Sequence, residues 1–212
     1  MPLFIYNKEG QQQDNITDWA LEQFQNYYQD LTIRKEAIFH YVYAVLHNPA
    51  YRKKYELNLK REFPRIPFYE NFWQWAKWGG QLMNLHITYE TVEPYPLRQI
   101  TTEYEAKNVA VWESFKKAKL KANKDIGEII IDGFDVLQGV PKQAWEYKLG
   151  NRSALEWILD QYKEKKPSDP TIAEKFNTYK FADYKEQVID LLKRVCTVSV
   201  ETMKIIEHMP NP

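Results

Sequence analysis

Asn48-Pro49-Ala50-Tyr51 comes within one residue of Asn-Pro-Pro-Tyr, the motif with which methyltransferases of exocyclic amino groups grip a target nitrogen. In those enzymes the motif follows a strand. Here helical patterns flank it on both sides, Ala50 stands where the second proline belongs, and no glycine-rich cofactor loop precedes it. The tetrapeptide therefore reads as a break between helices, because the residue before a proline is pushed out of helical geometry. Metal-dependent hydrolysis has its own candidates in Glu146-Tyr147-Lys148, with Asp135 upstream, and in Glu105-Ala106-Lys107. Such a site needs an Asp and a Glu on adjacent strands to hold magnesium, with the lysine near the attacking water. Short acid–lysine triplets are common in a chain with 27% charged residues, so the spacing alone carries little weight. His40 and His47 are seven residues apart, about 10 Å along a helix, too far to share a zinc ion. With His86 and His208 they read as core or surface histidines. Cys196 lies on an apolar helical face, where packing outweighs nucleophilic use. No Gly-x-x-x-x-Gly-Lys phosphate loop occurs, so neither ATP nor any other cofactor is expected.

The remaining chemistry is cationic. Arg52, Lys53, Lys54, Lys60, Arg61 and Arg65 fall within fourteen residues that hold two acids, Glu56 and Glu62. Lys116, Lys117, Lys119, Lys121 and Lys124 form a second cluster with no acid among them. Each cluster reads either as a solvated face or as a set of phosphate contacts. Formal net charge is zero, which excludes a protein that coats nucleic acid by bulk electrostatics. With 44% apolar and 15% aromatic residues in 212, the chain is a folded globular protein with room for one sizeable core. One cysteine permits no internal disulfide and fits a reducing compartment. The apolar patch after Met1 is too short for a signal peptide and no run approaches a membrane span, so a cytoplasmic location is expected.

The elements that position these residues follow from periodicity. A helix starts near the cap residue Thr17 and carries Trp19, Ala20, Phe24 and Tyr27. A second follows Thr32, with Ile38, Tyr41, Val42 and Val45 at helical spacing, and stops at Asn48. Pro49 opens a basic helix with Asn48 as its cap, offering Tyr51, Tyr55, Leu59 and Phe63 to the core; Pro64 and Pro67 force an extended exit. Residues 69–86 predict a further helix, in which Gly79-Gly80 marks a kink or a close helix contact. From Thr88 the pattern changes. Ala118, Leu120 and Ala122 alternate with lysines as in a half-buried strand, 126–131 and 134–137 flank an Asp132-Gly133 hairpin turn, and Val140-Pro141 closes this part. Ser153 and Glu156 form a capping box, and a C-terminal helix begins near Ala182, with a bend expected at the β-branched run 197–200. Trp145 and Trp157 are expected to fill the core. The fold class is α+β: one domain over 1–212, helical at 15–86, mainly antiparallel β at 88–141, and helical again at 153–209.

The segment Phe39–Phe68, FHYVYAVLHNPAYRKKYELNLKREFPRIPF, resembles the C-terminal target-recognition region of type ISP restriction–modification enzymes. So do GQLMNLH at 80–86 with Tyr89-Glu90, GVPKQAWEY at 139–147, GNRSALEW at 150–157, Asp169-Pro170, and VSVETMKI at 198–205. These blocks cover about residues 33–209 in order, while 100–125 and 163–185 match least. The resemblance implies a domain that reads double-stranded DNA and places it for an adenine methyltransferase and a helicase/nuclease carried elsewhere, with no catalysis of its own. It strengthens the phosphate-contact reading of the two cation clusters, and it leaves base reading to loops such as the one around Asn151 and Arg152. Arg65, between Pro64 and Pro67, reads equally as a DNA contact or as the partner of an internal carboxylate. Two rival readings are a subunit-docking domain of such a complex and a minimal methyltransferase or nuclease.

Overall fold

The structure, a computed structural model, describes residues 2–102, 114–164, 169 and 179–211. Two compact units emerge, one comprising Met1–Ile87 with Lys204–Pro212 and the other Thr88–Met203.

The first unit opens with a small antiparallel ribbon, β1 (Phe4–Tyr6) and β2 (Gln12–Asp14). Its turn rests on Asn7, whose Oδ1 accepts from the N–H groups of Glu9 and Gln11 at 2.9 Å each. Helix α1 (Asp18–Tyr28) is capped by Thr17 as the sequence predicts, and Phe24 is its buried residue. Helix α2 (Lys35–His47) begins later than Thr32 suggests. Thr32 instead closes a turn, donating through its N–H and its hydroxyl to Asp30 Oδ1 at 2.8 and 2.6 Å. Helix α2 packs on α5 (Phe72–Ile87), burying Ile38, Tyr41, Ala44 and Val45 against Phe72, Trp75, Ala76 and Leu82. Gly79 is the reason the two backbones meet, since a Cβ there would lie 1.7 Å from the His40 carbonyl oxygen. Of the two expectations for Gly79-Gly80, the close contact is what the structure displays.

Gly79→Ala must push α2 off α5 and is expected to cost about 3 kcal/mol or more, as overpacking against backbone does. Gly80→Ala, whose Cβ would meet the His40 ring at 3.4 Å, should cost far less. Urea midpoints of the two variants check the difference.

The basic helix is not continuous. It divides into α3 (Pro49–Lys54) and α4 (Glu56–Leu59), broken at Tyr55, where φ is −110° and ψ 20°. Tyr51 is buried and Tyr55 and Leu59 half-buried, but Phe63, expected in the core, is 96% exposed. Pro64 excludes helical geometry at Phe63, so its side chain leaves the inward face. The Pro64–Pro67 exit is held by two tyrosines: the Tyr51 hydroxyl donates to the Arg65 carbonyl at 2.9 Å, and the Tyr41 hydroxyl to that of Pro67 at 2.7 Å.

The second unit contains a four-stranded antiparallel sheet in the order β3 (Arg98–Thr101), β6 (Asp135–Gln138), β5 (Glu128–Ile130), β4 (Lys121–Asn123). The hairpin is where Asp132-Gly133 predicts it, yet for a different reason. Its connection runs over residues 131–134, with Asp132 Oδ1 accepting from the N–H groups of Phe134 and Asp135 at 2.8 Å each. Gly133 is not left-handed; a Cβ there would strike the Phe115 ring at 2.5 Å. Val140-Pro141 does not end the β structure, for a short ribbon, β7 (Lys148–Leu149) and β8 (Arg152–Ser153), follows a 3₁₀ turn at Lys142–Trp145. Helix α6 (Ala154–Gln161) carries the complete capping box. Trp145 is buried, but Trp157 is 45% exposed and not a core residue, because its indole N–H donates to the Leu149 carbonyl at 2.8 Å. Helix α7 (Lys185–Glu207) follows a 3₁₀ turn at Phe181–Asp183 and runs unbroken through the β-branched stretch. There Ser199 donates back to the Val195 carbonyl at 2.7 Å. The architecture is α+β.

Candidate nucleic-acid interface

In the first unit, Arg52, Lys53, Lys54, Lys60, Arg61 and Arg65 are all exposed. Three consecutive residues of a helix fan over about 200°. Arg52, Lys53 and Lys54 therefore spread round the end of α3 rather than forming one stripe. Lys54 Nζ lies 5.5 Å over the Tyr55 ring, and Lys60 pairs with Glu56 at 2.7 Å. Among the described residues Arg65 reaches only Glu62, at 4.0 Å, with its side chain 94% exposed, and no internal carboxylate claims it. Beside these cations lies a shallow groove of 270 Å³ lined by Tyr51, Tyr55, Phe63 and Pro64 among others.

The second unit gathers cations that lie apart in the sequence. Lys121 and Lys124 on β4 and its turn, Arg152 on β8, and Lys163 just past α6 line one groove of 410 Å³ with Glu156 and Asp160. Four cations face two carboxylates. Lys124 pairs with Glu156 at 2.7 Å, Arg152 with Asp160 at 3.2 Å, and Lys163 with Asp160 at 3.8 Å. The Arg152 guanidinium also stacks 5.4 Å from the centre of the Trp157 ring. Burial resists ionisation of Glu156, but hydrogen bonds from Lys124 and from Ser153 win and hold its carboxyl down at about 2. Lys117 and Lys119 are exposed and Lys116 is half-buried; Lys119 Nζ lies 5.7 Å over the Phe115 ring. Asn151 is exposed in the β7–β8 turn. Lys163 is the member that sequence reading missed. The signal was the spacing of Arg152, Glu156, Asp160 and Lys163 at intervals of four, four and three, the stripe of a helix.

Two of the candidate catalytic residues, Asn48 and Asp135, are engaged inside the fold. Asn48 is fully buried; its Oδ1 accepts from the Tyr51 N–H at 2.9 Å, and its Nδ2 donates to the Pro210 carbonyl at 2.9 Å. Asp135 is ion-paired with Lys185 and accepts from Thr101 and Gln99, whereas Glu146 is exposed. The Glu105-Ala106-Lys107 triplet lies outside the described residues. His47 Nδ1–H donates to the Tyr43 carbonyl at 2.7 Å, and the Tyr43 hydroxyl meets His86 Nδ1 at 2.8 Å. Burial, with His47 beside it, pulls His86 down to about 4. Burial pushes the Cys196 thiol up to about 12, far from a reactive thiolate. Among the described residues no group of three or more His, Cys, Asp or Glu could hold a metal, and no helix is long and apolar enough to cross a membrane.

An α+β chain with exposed cation clusters, in which Asn48 and Asp135 are bonded within the fold, has the make-up of a binding module. The chain belongs to the family of type ISP C-terminal specificity domains, whose family model matches residues 1–191. Among solved structures it is similar to DrdV in its complex with DNA, at 54% identity and a TM-score of 0.96, over 99% of this chain and 21% of that one. It is also similar to a nuclease-deletion mutant of the type ISP restriction–modification enzyme LlaGI in complex with a DNA substrate mimic, at 29% identity, a TM-score of 0.71 and coverage of 99% and 18%. The ATP-dependent type ISP enzyme LlaBIII, bound to DNA, follows at 25% identity and a TM-score of 0.73, over 98% of this chain and 13% of that one. The chain thus spans about a fifth or less of each of these proteins. No curated protein matches it.

Proposed function

We propose that this chain is the target-recognition module of a restriction–modification enzyme. In this reading it binds duplex DNA and reads its sequence, while the adenine methyltransferase and the helicase/nuclease reside elsewhere in the enzyme, in the cytoplasm. Residues 1–212 act as one functional module, and the module performs no catalysis itself. The observation that carries the reading is the likeness of 99% of the chain to a fifth of DrdV, a protein seen with DNA, at 54% identity. The exposed cations Arg52, Lys53, Lys54, Lys60, Arg61 and Arg65, with Lys116, Lys117, Lys119, Lys121 and Arg152, supply phosphate contacts that fix register. Asn151 sits where a polar turn can reach base edges. The full chain should retain members of a random duplex pool at low salt, with one short motif enriched and affinity falling steeply as salt rises. Absence of retention at low salt, or retention without enrichment, would count against it.

The docking reading keeps one specific support: Leu57 and Phe63 are 72% and 96% exposed beside the cations of the first unit. If Leu57→Ser with Phe63→Ser abolishes co-purification with a methyltransferase subunit but leaves duplex retention intact, these residues serve a protein surface.

A further inference from the structure

The groove between β4 and α6 holds more positive than negative charge, and its cations are not held equally. Lys124 pairs with Glu156, a carboxylate that also accepts from the Ser153 N–H and hydroxyl at 2.9 Å each. Glu156 is therefore held by the helix cap and cannot swing away without losing both Ser153 bonds. Asp160 differs. It sits a turn further along α6, off the cap, and bridges Arg152 at 3.2 Å and Lys163 at 3.8 Å across a surface where all three side chains are between a third and a half exposed. Ion pairs at such exposure are weak, each worth at most about a factor of five in an equilibrium, so an incoming anion can compete with Asp160 for both cations. Arg152 is meanwhile kept in place by its stacking on Trp157, whose ring is anchored through Leu149. A guanidinium so oriented presents a planar pair of donors that suits a phosphate.

We infer that the β4–α6 groove is a phosphate site for one strand of a nucleic-acid backbone, and that Asp160 is its built-in competitor. Arg152 and Lys163 take the phosphate as Asp160 lets go, with Lys121 at the rim. Asp160 weakens every complex alike, which lowers backbone affinity and leaves the ratio between sequences unchanged. This inference rests on the DNA-reading role proposed above.

The test uses the full chain and two probes, a duplex carrying the enriched motif and inorganic pyrophosphate. Asp160→Asn should tighten duplex binding about threefold to tenfold at 0.1 M salt and steepen the salt dependence by about one unit, since freed cations add counterion release. Glu22→Gln, the same charge change on an exposed position of α1, should do neither. Pyrophosphate should change the Trp157 emission, isolated as the difference from Trp157→Phe, and Arg152→Ala should abolish that change. Equal duplex affinity and salt slope for Asp160→Asn and the parent overturn the inference while leaving the DNA role standing. A pyrophosphate signal lost in Arg152→Ala, with no duplex binding by any variant, keeps the anion site and removes the DNA role. No response to either probe removes both.

Discussion

Replacing Lys185 with methionine is expected to destabilise the second unit by about 3–5 kcal/mol, the cost of removing one partner from a buried charge cluster. Lys185 Nζ lies 2.6 Å from Asp132 Oδ2 and is also bonded to Asp135 Oδ2, and the two aspartate side chains are 1% and 5% exposed. Burial favours the neutral acid at Asp135, yet the bonds from Lys185, Thr101 and Gln99 win and hold its carboxyl below the ordinary range. A depressed carboxylate contributes stability above its unfolded value and loses it as pH falls through the folded one, so the parent weakens only in strong acid. Without the lysine, Asp135 keeps its burial and loses the strongest bond that opposes it, so its carboxyl rises. Lys185→Met should therefore be more stable near pH 5 than near pH 8, a range over which this cluster gives the parent no slope. The triple variant Asp132→Asn, Asp135→Asn, Lys185→Met should regain most of the loss, since the amide introduced by Asp132→Asn keeps the oxygen that anchors the hairpin turn. Urea unfolding at the two pH values reads both variants against the parent.

On the binding side, the largest effect is expected from Arg52→Ala, Lys53→Ala and Arg61→Ala combined. All three side chains are exposed, and among the described residues none is paired with a carboxylate. Removing one phosphate interaction lowers the slope of log affinity against log salt by about 0.9, or roughly tenfold in affinity at 0.1 M salt. Removing three together should weaken binding about 10²–10³-fold and flatten the slope by nearly three, equally for target and non-target duplexes. An unchanged slope would place the phosphate face away from α3. Because these side chains are exposed, melting temperature should stay within a degree or two of the parent, which separates weakened DNA binding from impaired folding.

The parts of the fold that were legible in the sequence are those with local causes. Thr17, Asn48 and the Ser153–Glu156 box announced helix starts because capping needs only a side-chain oxygen and an N–H two or three residues on. Asp132-Gly133 announced a turn, although the glycine answers to Phe115 rather than to a left-handed backbone. The β1–β2 ribbon escaped notice because Gln12-Gln13-Asp14 shows no apolar alternation, and its turn depends on one asparagine. Phe63 and Trp157 were misplaced because an aromatic at helical spacing signals burial only while the helix lasts and its face has a partner. The cations were visible as clusters along the chain. Their assembly into a groove, with Asp160 among them, depends on β4, β8 and α6 meeting, which no local rule dictates.

Residues 204–212 belong to the same compact unit as residues 1–87, and Asn48 is tied to Pro210. The first unit is thus discontinuous in sequence, with the second inserted into it. Anyone building chimaeras to exchange specificities between related enzymes needs two splice points, near 87/88 and near 203/204, and the second falls inside α7, a continuous helix. A graft taken as one contiguous N-terminal fragment would strand the Asn48 amide without its acceptor and leave the α2–α3 junction frayed. A transplant of residues 88–203 must instead keep helical phase across its downstream seam.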